Sequence, residues 1–193
     1  MAGQKVIYNM SVEAIYEYQY AVYDDAFVAT VSPCKTVAEY ETMLYRQVRD
    51  DLVWKQYVAT AKVLEYPASE VNEYTLDFIE YYNSSASGAG ITLEEYVANK
   101  FFMELETFHL QADVYAKNHV KEELVLYQAA RVLGLGLSDS EYAAGAAEYA
   151  AMYGYASAAE LESTYGSNFV HYSVLRDKVS AHLASLAQIT TKE

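Results

Sequence analysis

Proline occurs only twice in the 193 residues, at Pro33 and Pro67, and glycine only eight times. A chain so poor in breakers cannot supply the frequent tight turns of a sandwich or barrel. Its Ala, Glu, Leu and Tyr instead sustain long helices. Apolar residues make up 53% and charged residues 21%, which is enough to build a core and too apolar for a disordered chain. The expected class is mainly α.

Helix starts are marked by capping boxes, in which a hydroxyl and a carboxylate three residues apart each satisfy an orphan backbone N–H. Thr36 with Glu39 opens a helix from Val37 to about Lys62, with Val37, Tyr40, Leu44, Val48 and Leu52 as its inward stripe. Pro67 begins a second helix, which carries Val71, Tyr74, Phe78 and Tyr82 inward and ends in the small-residue loop Ser84–Gly90. Thr92 with Glu95 opens a short helix to about Lys100. A long helix spans about Glu104–Leu133, with Phe108, Ala112, Tyr115, Val120, Leu124 and Tyr127 as its stripe and Gly134 as a left-handed stop. At 1.5 Å per residue it is roughly 45 Å long. Ser138 with Glu141 and Ser157 with Glu160 open helices over Asp139–Met152 and Ala158–Tyr165. A last helix covers about Asn168–Ala187, with Tyr172, Leu175, Val179, Leu183 and Leu186 inward.

The first twenty residues differ. Val6, Tyr8, Met10 and Val12 alternate with Ile7, Asn9, Ser11 and Glu13, which predicts a short β-strand over about Lys5–Tyr16. A lone strand needs a partner, so it belongs with a neighbouring domain or pairs between molecules. The second alternative predicts a homodimer through the N-terminal strand, or else through the helical arms.

Acidic residues outnumber basic ones 27 to 13, for a net charge of −14. Such a surface repels phosphate backbones, which excludes nucleic acid as a partner. No apolar run is long enough to cross a bilayer, and the first residues lack a secretory pattern. The lone Cys34 cannot form an internal disulfide and leaves the redox compartment open.

Catalytic constellations are missing. None of His109, His119, His171 and His182 has a second histidine four residues away. His119 and Glu122 stand at i, i+3, but no second such pair completes a di-metal site, so no metal is expected. The acidic pairs Asp24–Asp25, Asp50–Asp51, Glu94–Glu95 and Glu122–Glu123 diverge by about 100° on a helix and make no dyad. Gly134–Leu135–Gly136 lacks the third glycine and the preceding strand of a phosphate loop. The expected cofactor list is empty and no catalytic residue is assigned.

What remains is an aromatic surplus, with 21 tyrosines in the chain. Phe101, Phe102 and Met103, together with Tyr153 and Tyr155, fall at helix ends and not in mid-stripe. They are the candidate substrate-binding residues, because exposed apolar patches of this kind mark binding surfaces.

The order of segments resembles the C-terminal chaperone domain of trigger factor, the bacterial nascent-chain chaperone. AGQKVIYNMSVEAI (Ala2–Ile15) is similar to the last strand of the FKBP-type prolyl isomerase domain that precedes it in the family. DDAFVATVSPCKTVAEYETMLYRQVRDDL (Asp24–Leu52) resembles the family's Asp-Glu-Phe and Thr-x-x-Glu helix opening, and EYPASEVNEY (Glu65–Tyr74) its Pro-initiated first-arm helix. VKEELVLYQAARVLGLGLSDSEYAAGAAEYAAMYGYASAAELESTYG (Val120–Gly166) follows the family's order of helix, Gly, Ser-Asp-x-Glu and Tyr-Gly. SVLRDKVSAHLASLAQI (Ser173–Ile189) is similar to its closing helix. The chain departs from the family where Phe102-Met103 replaces the usual Gly-Met and Glu104 the usual hydroxyl cap. The ribosome-binding segment and the body of the isomerase domain, with its active-site residues, have no counterpart here.

The resemblance implies an elongated multi-helix domain with two helical arms over residues 21–193, after a remnant isomerase strand in 1–20. It implies an ATP-independent chaperone that holds unfolded or nascent polypeptide in a helical cradle, with no isomerase activity of its own. Its default compartment is the cytoplasm; the low lysine and high tyrosine content also fits an exported or lipid-anchored foldase. The rival readings are a tyrosine-rich structural or adhesion module and a helical appendage of a complete FKBP-type isomerase.

Overall fold

The computed structural model describes residues 10–188, and among these it contains eight α-helices and no strand. They are α1 (Asp25–Val31), α2 (Val37–Thr60), α3 (Ala68–Gly88), α4 (Leu93–Phe101), α5 (Leu105–Leu133), α6 (Asp139–Met152), α7 (Ala158–Tyr165) and α8 (Ser167–Leu186). The chain divides into two compact units, Met1–Arg46 and Gln47–Glu193.

In the first unit, residues 10–23 carry no regular structure, which corrects the expected strand; its first part, 5–9, lies outside the described residues. The alternation at Met10, Val12 and Ile15 is real, but all three are exposed. With no second strand to supply a ladder, alternation alone does not make a sheet. The unforeseen α1 is started by Asp24, whose carboxylate accepts the Phe27 N–H at 2.9 Å. At the start of α2, Thr36 accepts the Glu39 N–H as expected, while the Glu39 carboxylate reaches back to the Lys35 N–H at 2.8 Å. Cys34 is half-buried, its thiol 3.9 Å from the Met43 sulfur.

The second unit is built on α5, whose 29 residues serve different partners along their length. Its N-terminal half packs antiparallel against α3, with α4 across the end of the pair. The seam is aromatic: Phe78 meets Phe108 at 5.4 Å and Tyr115 at 4.6 Å, and Tyr82 meets Phe101 at 5.3 Å and Phe108 at 5.5 Å. The Thr92–Glu95 capping box forms reciprocally. Its C-terminal half joins α8 and the end of α2 in a core of Trp54, Leu126, Ala129, Leu175 and Val179. Leu44, Val48 and Leu52 are exposed, contrary to the expected stripe. The reason is that Trp54 and Val58, on another side of α2, are the residues that enter this core.

A second core joins α6, α7 and α8 through Ala146, Ala150, Leu161, Val170 and Val174. The Ser138–Glu141 box is reciprocal, and Glu141 also holds Lys178 of α8 at 2.5 Å. The helices approach closely at Gly145, where a Cβ would stand 2.5 and 2.8 Å from the two methyls of Val174.

Two further features depart from the sequence reading. The helix α3 runs on through the small residues to Gly88, because Ala86 is fully buried and Ser85 returns its hydroxyl to the Tyr81 carbonyl at 3.1 Å. Between α4 and α5 the chain turns at Phe102, with φ 54° and ψ 39°. A side chain in this left-handed region costs about 1–2 kcal/mol.

Candidate functional site

A cleft in the second unit has a volume of about 820 Å³. One wall comes from α3 and α5, through Tyr74, Tyr115, His119, Glu122, Glu123 and Tyr127. The other comes from the end of α6 and from α8, through Tyr149, Tyr153, Asn168, Phe169, Tyr172, Ser173 and Arg176. The cleft exists because α5 is longer than either of its packing partners. The α3 seam holds one part of it and the α8 core another, and the rings between the two contacts are left lining open space.

Hydrogen bonds to carboxylates fix two of the cleft tyrosines. The Tyr74 hydroxyl donates to Glu123 at 2.5 Å and ties α3 to α5; that of Tyr149 donates to Asp177 at 2.7 Å and ties α6 to α8. Away from the cleft, Tyr142 ties α6 to α7 by donating to Glu162 at 2.5 Å. Burial first, and the neighbouring carboxylates second, push the phenols of Tyr74 and Tyr149 well above their ordinary range. Burial also raises Tyr172 strongly and Tyr127, helped by Glu122 and Glu123 respectively, and Tyr142 is pushed up to about 12. These hydroxyls therefore stay protonated at neutral pH. Burial also raises the Asp177 carboxyl, against the lowering effect of the Tyr149 hydroxyl.

Arg176 is the one lysine or arginine lining the cleft among the described residues, and it is already committed. It donates to Asp51 at 2.9 Å and lies 6.0 Å from the Trp54 ring centroid. Lys55 binds the same carboxylate at 2.7 Å, and these bonds, Lys55 first, lower the Asp51 carboxyl against its burial. Glu122 and Glu123 thus give the cleft an acidic side, and its rings give it an apolar one.

Of the expected binding residues, only Tyr153 lines this cleft; it is 50% exposed and lies 6.2 Å from the Tyr149 ring. Tyr155 is half-buried against the second core, its ring 6.1 Å from Tyr165. Phe101 is half-buried in the α3–α5 seam, and Met103 is also half-buried. Phe102 is 91% exposed. The structure therefore does not bring the five together. His119, weighed above as half of a metal pair, stacks on Tyr74 at 5.4 Å and meets the tilted ring of Tyr115 at 4.3 Å. No group of three His, Cys, Asp or Glu is arranged to hold a metal among the described residues. The sequence reading missed most of the wall because Tyr115, Tyr127 and Tyr172 sit on helical stripes and read as core. The available signal was tyrosine where a buried stripe favours leucine.

The sequence model of the family described as bacterial trigger factor protein (TF) C-terminus matches residues 35–185, most of the chain. The chain belongs to this trigger factor C-terminal family. The curated trigger factor of Carboxydothermus hydrogenoformans is 27% identical over 152 residues, which cover 73% of this chain. The alignment takes in 35% of that relative, so the chain spans about a third of its length. No solved structure matches. The trigger factor match begins just before α2 and ends within α8, so it contains every residue that lines the cleft. Among the described residues no helix is long and apolar enough to cross a membrane.

Proposed function

We propose that this trigger factor C-terminal domain is an ATP-independent chaperone that holds unfolded or nascent polypeptide in the tyrosine-walled cleft. The cleft carries the reading. Tyr115, Tyr127, Tyr153 and Phe169 present their rings at the surface, so the cleft takes up apolar side chains, and the tyrosine hydroxyls keep it wettable when empty. A tyrosine ring supplies contact area and its hydroxyl tolerates water. Each buried ring contributes on the order of 1.5–3 kcal/mol. A client that covers two or three of them is held weakly once its ordering cost is subtracted. Release then follows from fast dissociation and from folding of the client, with no nucleotide and no cofactor.

On this reading the chain catalyses no reaction, since the matched part of trigger factor is its C-terminus. It acts in the cytoplasm, the family default. Residues 1–20 belong with a preceding isomerase domain and 21–193 form the holding domain. A homodimer would form through the N-terminal segment or through the helical arms; in the first case deletion of residues 1–18 should lower the sedimentation coefficient.

The test is aggregation of a chemically unfolded protein, followed by light scattering. The wild-type chain should slow it without nucleotide. Changing Tyr127 and Phe169 together to Ser should remove most of the effect, because both rings line the cleft and are exposed. Circular dichroism should stay unaltered in the variant. A wild type that does not slow aggregation, or a folded variant that slows it equally, would contradict the proposal.

A further inference from the structure

At five described positions the backbone takes a positive φ. Four are glycines, Gly90, Gly134, Gly154 and Gly166, and the fifth is Phe102. Glycine meets the left-handed requirement without strain, and Asn comes next. A bulky aromatic is the residue least suited to it. The strain at Phe102 is not offset by packing, because the residue is 91% exposed, more than any other large apolar residue from Pro67 onward. Its neighbours behave differently: Phe101 fills the α3–α5 seam against Tyr82 and Phe108, and Met103 is half-buried. The turn thus keeps a ring whose backbone strain no burial offsets. Strain held at an exposed position points to function.

We propose that Phe102 is a second client-contact residue, a single projecting ring that takes apolar side chains of an unfolded chain outside the tyrosine cleft. This rests on the holding function proposed above and adds a second point of attachment to it. The occupant is an unfolded polypeptide and not a second copy of the chain. A second copy would carry the same net charge of −14, and Lys100 is set against Glu104 and Glu106 beside Phe102, so the turn itself offers no charge to offset that repulsion. An extended client can present apolar side chains without that repulsion. With two attachment points on one client, the second binds at the effective concentration set by the intervening segment, so loss of Phe102 weakens holding without abolishing it.

The experiment uses the full chain and three variants, Phe102→Gly, Phe102→Asn and Phe102→Ala. The probe is a fluorescein-labelled, unstructured Gly/Ser peptide bearing spaced Phe and Leu residues, read by anisotropy. Gly and Asn relieve the backbone, so both should raise the Tm, by about 2–4 °C. Ala removes the ring and keeps the strain, so it should raise the Tm less. All three should weaken peptide binding, by about 3- to 10-fold. Unchanged binding in Phe102→Ala overturns the proposal, as does a Phe102→Gly variant that melts no higher than wild type. A wild type that binds no peptide overturns the holding function and this proposal together. A wild type that binds, with Phe102 variants that bind equally, overturns this proposal alone.

Discussion

Replacing Gly145 by Ala pits helix propensity against packing. In the interior of α6 the substitution gains about 1 kcal/mol from propensity alone. The new Cβ, however, would stand 2.5 and 2.8 Å from the Val174 methyls and 3.2 Å from its Cβ, where carbon atoms pack best at about 3.5–4.0 Å. Val174 cannot turn away, because a β-branched residue in a helix has one strongly preferred rotamer and both methyls face the glycine. Overpacking of this kind costs about 1–3 kcal/mol, and contacts this short belong at the upper end. The net expectation is destabilisation by about 1–2 kcal/mol, or a fall in Tm of about 2–8 °C for a chain of this size. In a Val174→Ala background both methyls are gone and only the 3.2 Å Cβ contact remains, so Gly145→Ala should then stabilise by most of its propensity gain of about 1 kcal/mol. The sign reversal is the prediction, a coupling of about 2–3 kcal/mol in the double-mutant cycle. Urea unfolding followed by fluorescence of the only tryptophan, the buried Trp54, reads it directly. If Gly145→Ala stabilises the wild type as much as it does the Val174→Ala protein, the close α6–α8 approach is wrong.

Three further outcomes follow from the same contacts. The Glu141 carboxyl is lowered from its ordinary value of 4.5 to about 2, by Lys178 first and then by the Ser138 N–H and hydroxyl. A carboxyl lowered in the fold contributes stability above its unfolded value and loses it as the pH falls toward the folded one. The acid limb of the stability profile between these values should therefore flatten in Glu141→Gln. Tyr149→Phe deletes the donor to Asp177, whose carboxyl is raised by burial, and should cost about 1–3 kcal/mol in urea unfolding at pH 7. Because a raised carboxyl favours the fold when protonated and disfavours it as the pH climbs through the folded value, the loss should shrink at pH 3. Glu122 and Glu123 should make basic clients bind more tightly than acidic ones at low salt, a difference that added salt removes in anisotropy titrations.

Helix boundaries were legible because they are set locally. The Ser138 and Thr92 boxes, Gly134 at φ 67° and the span Asp139–Met152 all depend on residues within a turn of each other. What faces inward was less legible, because it depends on partners distant in sequence. On α2, the row Leu44, Val48, Leu52 and the pair Trp54, Val58 are equally apolar as patterns, and only α5 and α8 decide between them. The Ser84–Gly88 run read as a loop because small polar residues usually make one; here Ala86 is small because it is fully buried. The cleft was the least legible feature. Its walls come from residues as far apart as Tyr74 and Arg176, and its tyrosines occupy positions that a helical stripe assigns to the core. Residues 10–16 form no strand because period-two alternation states a preference, and the described residues provide no strand to pair with them.

The central claim is that unfolded polypeptide lies against the cleft tyrosines, and tyrosine side-chain NMR of the full chain during titration with an unfolded client measures this most directly. The account predicts that the ring signals of Tyr115, Tyr127, Tyr153 and Tyr172 shift together and saturate, because all four line the cleft. Tyr142, fixed to Glu162 away from it, should hold still. Shifts confined to Tyr16, Tyr18 and Tyr20 of the exposed N-terminal segment, with the cleft signals unmoved, would contradict it.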